Sequence, residues 1–156
     1  MATFTLGVSH AQLAVFDSRL TNPFNDWTDA HVGQGFSWRP GSVSFAILET
    51  AVEIDVIVDP AAPNPQAASD ALRVIAVPFT VPAHGEIEIA TIIDSVPLQL
   101  PAGEYELVFV HGLVTDTRLS VNLGFRAVDS PVPPRIVVGD PGLSPPPDLV
   151  MEAEPA

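Results

Sequence analysis

The sequence predicts an all-β protein, an antiparallel sandwich of about 8–10 strands. Three observations carry this. Short segments alternate apolar and polar residues with period two. Seventeen prolines and ten glycines in 156 residues disfavour long helices and suit many turns. The alternating segments recur at the spacing of sandwich strands, and one chain of this length fits one domain.

Residues 3–9 and 12–16 read as a strand pair, or as one strand kinked at Ser9–Gln12. Residues 17–26 are rich in turn formers. Asp26 or Thr28 caps a short helical turn near 28–33, which Gly33 and Gly35 end. In SVSFAIL, Val43, Phe45 and Ile47 share one face. The clearest strand is TAVEIDVIVD, where Val52, Ile54, Val56 and Val58 point one way. Ala51, Glu53, Asp55, Ile57 and Asp59 point the other. PAAPNPQAASDA, residues 60–71, reads as a loop. Pro78 puts the strand at 73–81 at an edge or a bulge. In EIEIATII, Ile87 and Ile89 face inward, with Glu86 and Glu88 outward.

A strand at 96–100 leads to a turn at Pro101–Gly103. Tyr105, Leu107 and Phe109 then share a face opposite Glu104 and Glu106. Residues 119–128 form a further strand, and 135–138 carry the pattern of a last one. Eight of the seventeen prolines fall between 131 and 156. The division expected is a sandwich over 1–130 and an extended, polyproline-like arm over 131–156, held by the domain or by a neighbouring chain.

Nineteen acidic residues face six basic ones, all arginine, for a net charge of −13. A field of that sign repels nucleic acid and anionic membrane and attracts basic protein surfaces. There is no cysteine, so disulfides and thiolate metal sites are excluded. The opening MATFTLGVSHAQLAVF lacks a basic leader and is broken by Ser9, His10 and Gln12, so a cytoplasmic address is expected. No run reaches the roughly 18 apolar residues of a membrane span.

Catalytic patterns are missing. The four histidines, at 10, 31, 84 and 111, show no metal-pair spacing. Neither a nucleophile elbow nor a phosphate-cradling glycine loop is present. The pairs Glu53/Asp55, Glu86/Glu88 and Glu104/Glu106 sit two apart on strands, as on any solvated sheet face. Asp55/Asp59 and Asp26/Asp29 lack calcium-loop spacing. No catalytic residue, metal or cofactor is expected.

One packet stands apart. NDWTDAHVGQGFSWRP, residues 25–40, holds both tryptophans and two histidines. DWTDAHVGQGFSWRPGSVSF, with VSHAQLAVFD upstream, resembles the competence protein J family. The later run VIAVPFTVPAHGEIEIATIIDSVPLQLPAGEYEL is similar to the second half of that family, and the resemblance spans residues 8–110. It implies an acidic protein that binds and blocks a DNA-degrading nuclease linked to DNA uptake, with no catalytic residue of its own.

The packet itself admits two readings: Trp27, Phe36 and Trp38 plug an end of the sandwich, with Asp26 or Thr28 capping the turn and Gly35 permitting its backbone, or part of the packet is an exposed hot spot for a partner. Asp29, His31 and Arg39 face outward and are candidates for partner contact. The outward carboxylates of Glu53, Asp55, Asp59, Glu86, Glu88, Glu104 and Glu106 offer a basic nuclease a substitute for phosphates. Other readings stay open: a binding module for a small ligand, carbohydrate or calcium, a carboxylate hydrolase, or a self-assembling protein that exchanges its arm between copies.

Overall fold

The computed structural model describes residues 2–61 and 71–156. The expected loop at 60–71 lies almost wholly outside the described residues. The elements run β1 (Ala2–Gly7), β2 (Gln12–Asp17), α1 (Asp29–Gln34), β3 (Phe36–Arg39), β4 (Ser42–Ala46) and β5 (Glu53–Asp59). They continue as β6 (Arg73–Val81), β7 (Glu86–Ala90), β8 (Ser95–Gln99), β9 (Gly103–Thr115), β10 (Arg118–Ala127) and β11 (Arg135–Val138). The strands form a six-stranded sheet, β1-β5-β10-β9-β6-β11, and a five-stranded sheet, β3-β4-β2-β7-β8. All pairs are antiparallel except β5 and β10. The β9–β10 hairpin, turning at Asp116 with φ 57°, delivers β10 beside β5 in the same direction.

Both sheets present one apolar face to a shared core. Leu13, Val15, Val43, Phe45, Ile87 and Ile89 come from one sheet, and Ile54, Val56, Ile75, Val77, Leu107, Phe109, Val121 and Leu123 from the other. The Phe45 and Phe109 rings stack across the interface at 4.4 Å. Truncating either ring to alanine removes dispersion contacts and leaves a void, which costs about 3–5 kcal/mol.

Three local expectations change. The first two strands neither pair nor form one kinked strand. The backbone turns at His10 and Ala11, both with positive φ (61° and 48°), and the chain crosses from one sheet to the other. Val52 is 54% exposed because β5 begins at Glu53, after the Val52 amide has bonded to the Thr117 carbonyl. Gly33 lies inside α1 rather than ending it, and Gly35 alone closes the helix in the left-handed conformation (φ 84°).

The motifs behind the family resemblance have structural reasons. In Leu100-Pro101-Ala102-Gly103-Glu104-Tyr105, the tyrosine hydroxyl donates back to the Pro101 carbonyl at 2.7 Å and locks the entry into β9. In Val77-Pro78-Phe79, the Pro78 carbonyl accepts from the Trp38 indole at 2.8 Å. β11 pairs with β6 only at residues 74–76, so the missing Pro78 N–H breaks no ladder bond.

Candidate partner-binding surface

The packet forms a strap over the outer face of the five-stranded sheet, and its bonds begin with Asn25. The buried Asn25 amide donates to the Ser37 and Ser42 carbonyls at 2.8 and 3.1 Å. Its carbonyl oxygen accepts from Arg39 Nε at 2.7 Å, and Arg39 Nη2 also bonds the Asn22 carbonyl. Ser37 Oγ donates to the Asp26 carbonyl at 2.7 Å. The buried Asn25 amide and the Ser37 hydroxyl are thereby satisfied by backbone, and Ser42 Oγ likewise donates to the Pro23 carbonyl, as burial requires.

Thr28 then caps α1, and Asp26 does not. The Thr28 hydroxyl accepts from the His31 amide, while His31 Nδ1 accepts from the Thr28 amide at 3.0 Å. Histidine thus fills the capping-box position usually held by Glu or Gln. With Nδ1 accepting, Nε2 carries the proton and donates to the Glu152 carbonyl at 2.8 Å.

That last bond belongs to the C-terminal arm, which packs on its own domain. Arg73 and Asp140, both almost fully buried, make two bonds at 2.7 and 3.1 Å that tie β6 to the start of the arm. The Ser144 amide then donates to the Gly33 carbonyl at 2.7 Å, and a Cβ at Gly33 would sit 2.5 Å from the Ser144 oxygen. Gln34 exchanges two 2.9 and 2.8 Å bonds with Val150. Leu149 and Met151 rest on the core. The Asp26 amide donates to the Glu154 carbonyl, and Asn25 pairs with Pro155 in an antiparallel bridge.

Several predicted site residues sit elsewhere than expected. His31, expected outward, is 2% exposed because the arm covers its ring. Arg39, also expected outward, is half-buried and committed to the strap. Trp27 is absent from the core. It lies half-buried on the outer face, its indole donating to Gln12 Oε1 at 3.2 Å. Phe36 is fully buried and Trp38 packs against the core. Asp29 is exposed.

The outer face of the six-stranded sheet carries Glu53, Asp55, Asp59, Glu104 and Glu106, and three of them, Glu53, Asp55 and Glu106, have counterions. Arg118 bridges Glu53 at 3.1 Å and Asp55 at 2.7 Å. Hydrogen bonds from Arg118, then from Thr5, hold the Asp55 carboxyl below the usual carboxylate range. Glu106, expected outward, has a side chain only 1% exposed, because Arg126 and Arg135 close over it. Glu104 accepts from the Thr80 hydroxyl. Glu86 and Glu88 lie on the outer face of the other sheet, with Glu86 3.5 Å from Arg19. The outward carboxylates therefore fall on two opposite sheets and do not merge into one patch.

Among the described residues, five of the six arginines pair with carboxylates of the same chain. Asp26, Asp29, Glu49, Glu152 and Glu154 pair with none and are exposed, as are Asp94, Asp116, Asp129 and Asp148. The contacts between strap and arm bring Asp26, Asp29, Glu152 and Glu154 to one end of the molecule. Sequence reading did not assign Glu49, Glu152 or Glu154. Two of them sit in an arm whose docking is written in buried polar residues, His31 and Gln34, rather than in any alternation.

The histidines diverge. His84 donates to Asp17 at 2.9 Å, and His111 is buried between the Leu48 amide and the Gly112 carbonyl. Burial, the largest influence, pushes the His111 imidazole below its ordinary pKa. Among the described residues no three His, Asp or Glu side chains are grouped to hold a metal. No helix there is long and apolar enough to cross a membrane.

The sequence model of the competence protein J family matches residues 5–125. A solved structure described as ComJ, inhibitor of the DNA degrading activity of NucA, from Bacillus subtilis, superposes with a TM-score of 0.65 at 21% identity. The match covers 82% of this chain and 96% of that one, and at this identity it speaks for the fold. A comparison with curated proteins finds no match. The arm lies beyond the residues that the family model matches.

Proposed function

We propose, from the premise that the chain belongs to the competence protein J family, that it is a non-enzymatic, acidic inhibitor of a DNA-degrading nuclease linked to DNA uptake. The observation that carries this is the charge distribution. The chain's cations are almost all held by its own carboxylates, while exposed acids at the strap and arm keep their charge for a partner. A nuclease presents a basic groove to phosphates, and carboxylates on a rigid β scaffold compete for it, gaining association rate and specificity from complementary charge. The partner-facing residues on this reading are Asp29 with its unpaired neighbours Asp26, Glu152 and Glu154, whereas Asp59 and Glu104 on one sheet and Glu86 and Glu88 on the other lie on opposite faces and do not meet one partner together. Glu53 and Asp55 contribute less, because Arg118 neutralises them. On this reading the chain works in the cytoplasm.

A pull-down from the source cell at about 50 mM salt is expected to recover a basic nuclease whose cleavage of linear DNA stops when the chain is added. Inhibition should weaken toward about 500 mM salt, as the Debye length falls well below 10 Å. A bound nuclease that keeps cutting, or inhibition indifferent to salt, overturns the reading.

A further inference from the structure

Beside the strap lies a groove of about 240 Å³ lined by Ala11, Gln12, Trp27, Val32, Ile47 and Glu49 among others. Trp27 forms one wall, fixed by its bond to Gln12. Val32 forms another and is 59% exposed, because α1 turns His31 and Gln34 inward under the arm. An aliphatic side chain in water on a pinned helix, facing an indole, is an unfilled apolar contact. The groove is smaller than the roughly 300–1,000 Å³ pockets that take whole ligands. It suits one long side chain.

Charge says which kind. Glu49 lines the groove and makes no ion pair among the described residues. Asp29 stands three residues before Val32 on α1, so the two are neighbours on the helix surface. Asp26, next to Trp27, and Glu154 are joined through backbone. An apolar slot with an aromatic wall and acids at its rim matches a side chain with an apolar stem and a cationic head.

We propose that this groove is the anchor site for an arginine or lysine side chain of the partner nuclease, its stem between Trp27 and Val32 and its charge between Asp29 and Glu49. The proposal rests on the inhibitor reading and names where the contact is made. His10 also lines the groove, with Nδ1 occupied by the Ser9 hydroxyl at 3.0 Å.

The test has two arms. In the first, a hexa-arginine peptide is titrated into the full-length protein, and both indole N–H resonances are followed by NMR. The Trp27 resonance should move and that of Trp38, bonded to Pro78, should stay. The D29N/E49Q variant should weaken this response about tenfold, as loss of close charge pairs predicts, while D116N/D129N, with the same change in net charge, should not. An unmoved Trp27, or equal effects of both variants, overturns the groove. In the second arm, affinity for the recovered nuclease is measured with the same variants, after matching their thermal midpoints. Equal losses there sink the anchor but leave inhibition standing. A wild-type chain that binds no nuclease sinks the inhibitor reading, and the peptide arm still decides what the groove recognises.

Discussion

Two acidic regions of this protein use their charge in opposite ways. On the outer face of the six-stranded sheet, several carboxylates meet arginines of other strands, as Glu53 and Asp55 meet Arg118 and Glu106 meets Arg126 and Arg135. At the strap and arm, the exposed Asp26, Asp29, Glu152 and Glu154 make no ion pair among the described residues. Self-neutralised charge supports a fold, whereas unpaired charge held on a fixed backbone is available to a second molecule. The comparison teaches that a net charge of −13 does not locate a binding face; the positions of the arginines narrow it by removing the carboxylates that they neutralise.

The comparison breaks hardest at Asp140. Replacing it with alanine strands a buried guanidinium and should cost about 3–5 kcal/mol of unfolding free energy in a urea titration. A loss under about 1 kcal/mol would mean that the arm is not anchored as described. Glu106→Ala removes a buried carboxylate, but its arginines have 27% and 52% of their side chains exposed and can rehydrate. The expected cost is smaller, about 1–3 kcal/mol. Thr28→Ala deletes the cap of α1 and should cost about 1 kcal/mol, with faster amide exchange at His31 and Val32.

Arg118→Ala lies at the weak end. A surface ion pair contributes about 0–1 kcal/mol, so unfolding should hardly change. Its signature is in titration. The folded pKa of Asp55 is depressed, so its contribution is present above the ordinary carboxylate value near 4 and is lost as pH falls through the folded value. In R118A the Asp55 carboxyl resonance should titrate at a higher pH than in the wild type. An unchanged midpoint would show that Arg118 does not neutralise that face.

The sandwich was legible because its signals are local. Alternation in EIDVIVD and EIEIA, the turn at Pro101–Gly103 and the inward set Tyr105, Leu107 and Phe109 all survive in the structure. Strand β3 was not legible. FSWR follows a helix directly, and its pattern is polar at Ser37, which the strap covers. The outward direction of Glu106 was read correctly from alternation, but its burial was not. Alternation assigns a side chain to a face and says nothing of Arg126 and Arg135 reaching over it. His31 failed for a related reason: it is covered by residue 152, 121 positions away. The candidate surface was half visible, since Asp29 stood out in the packet while its neighbours on the arm carried no periodic signal.

The bridge between Asn25 and Pro155 sets a schedule for biosynthesis. The strap leaves the ribosome well before the arm segment from Ser144 to Pro155 that covers it. The surface offered to a partner is therefore finished only after the arm has cleared the ribosome, and a chain stalled before that point holds a nearly complete sandwich with an open flank.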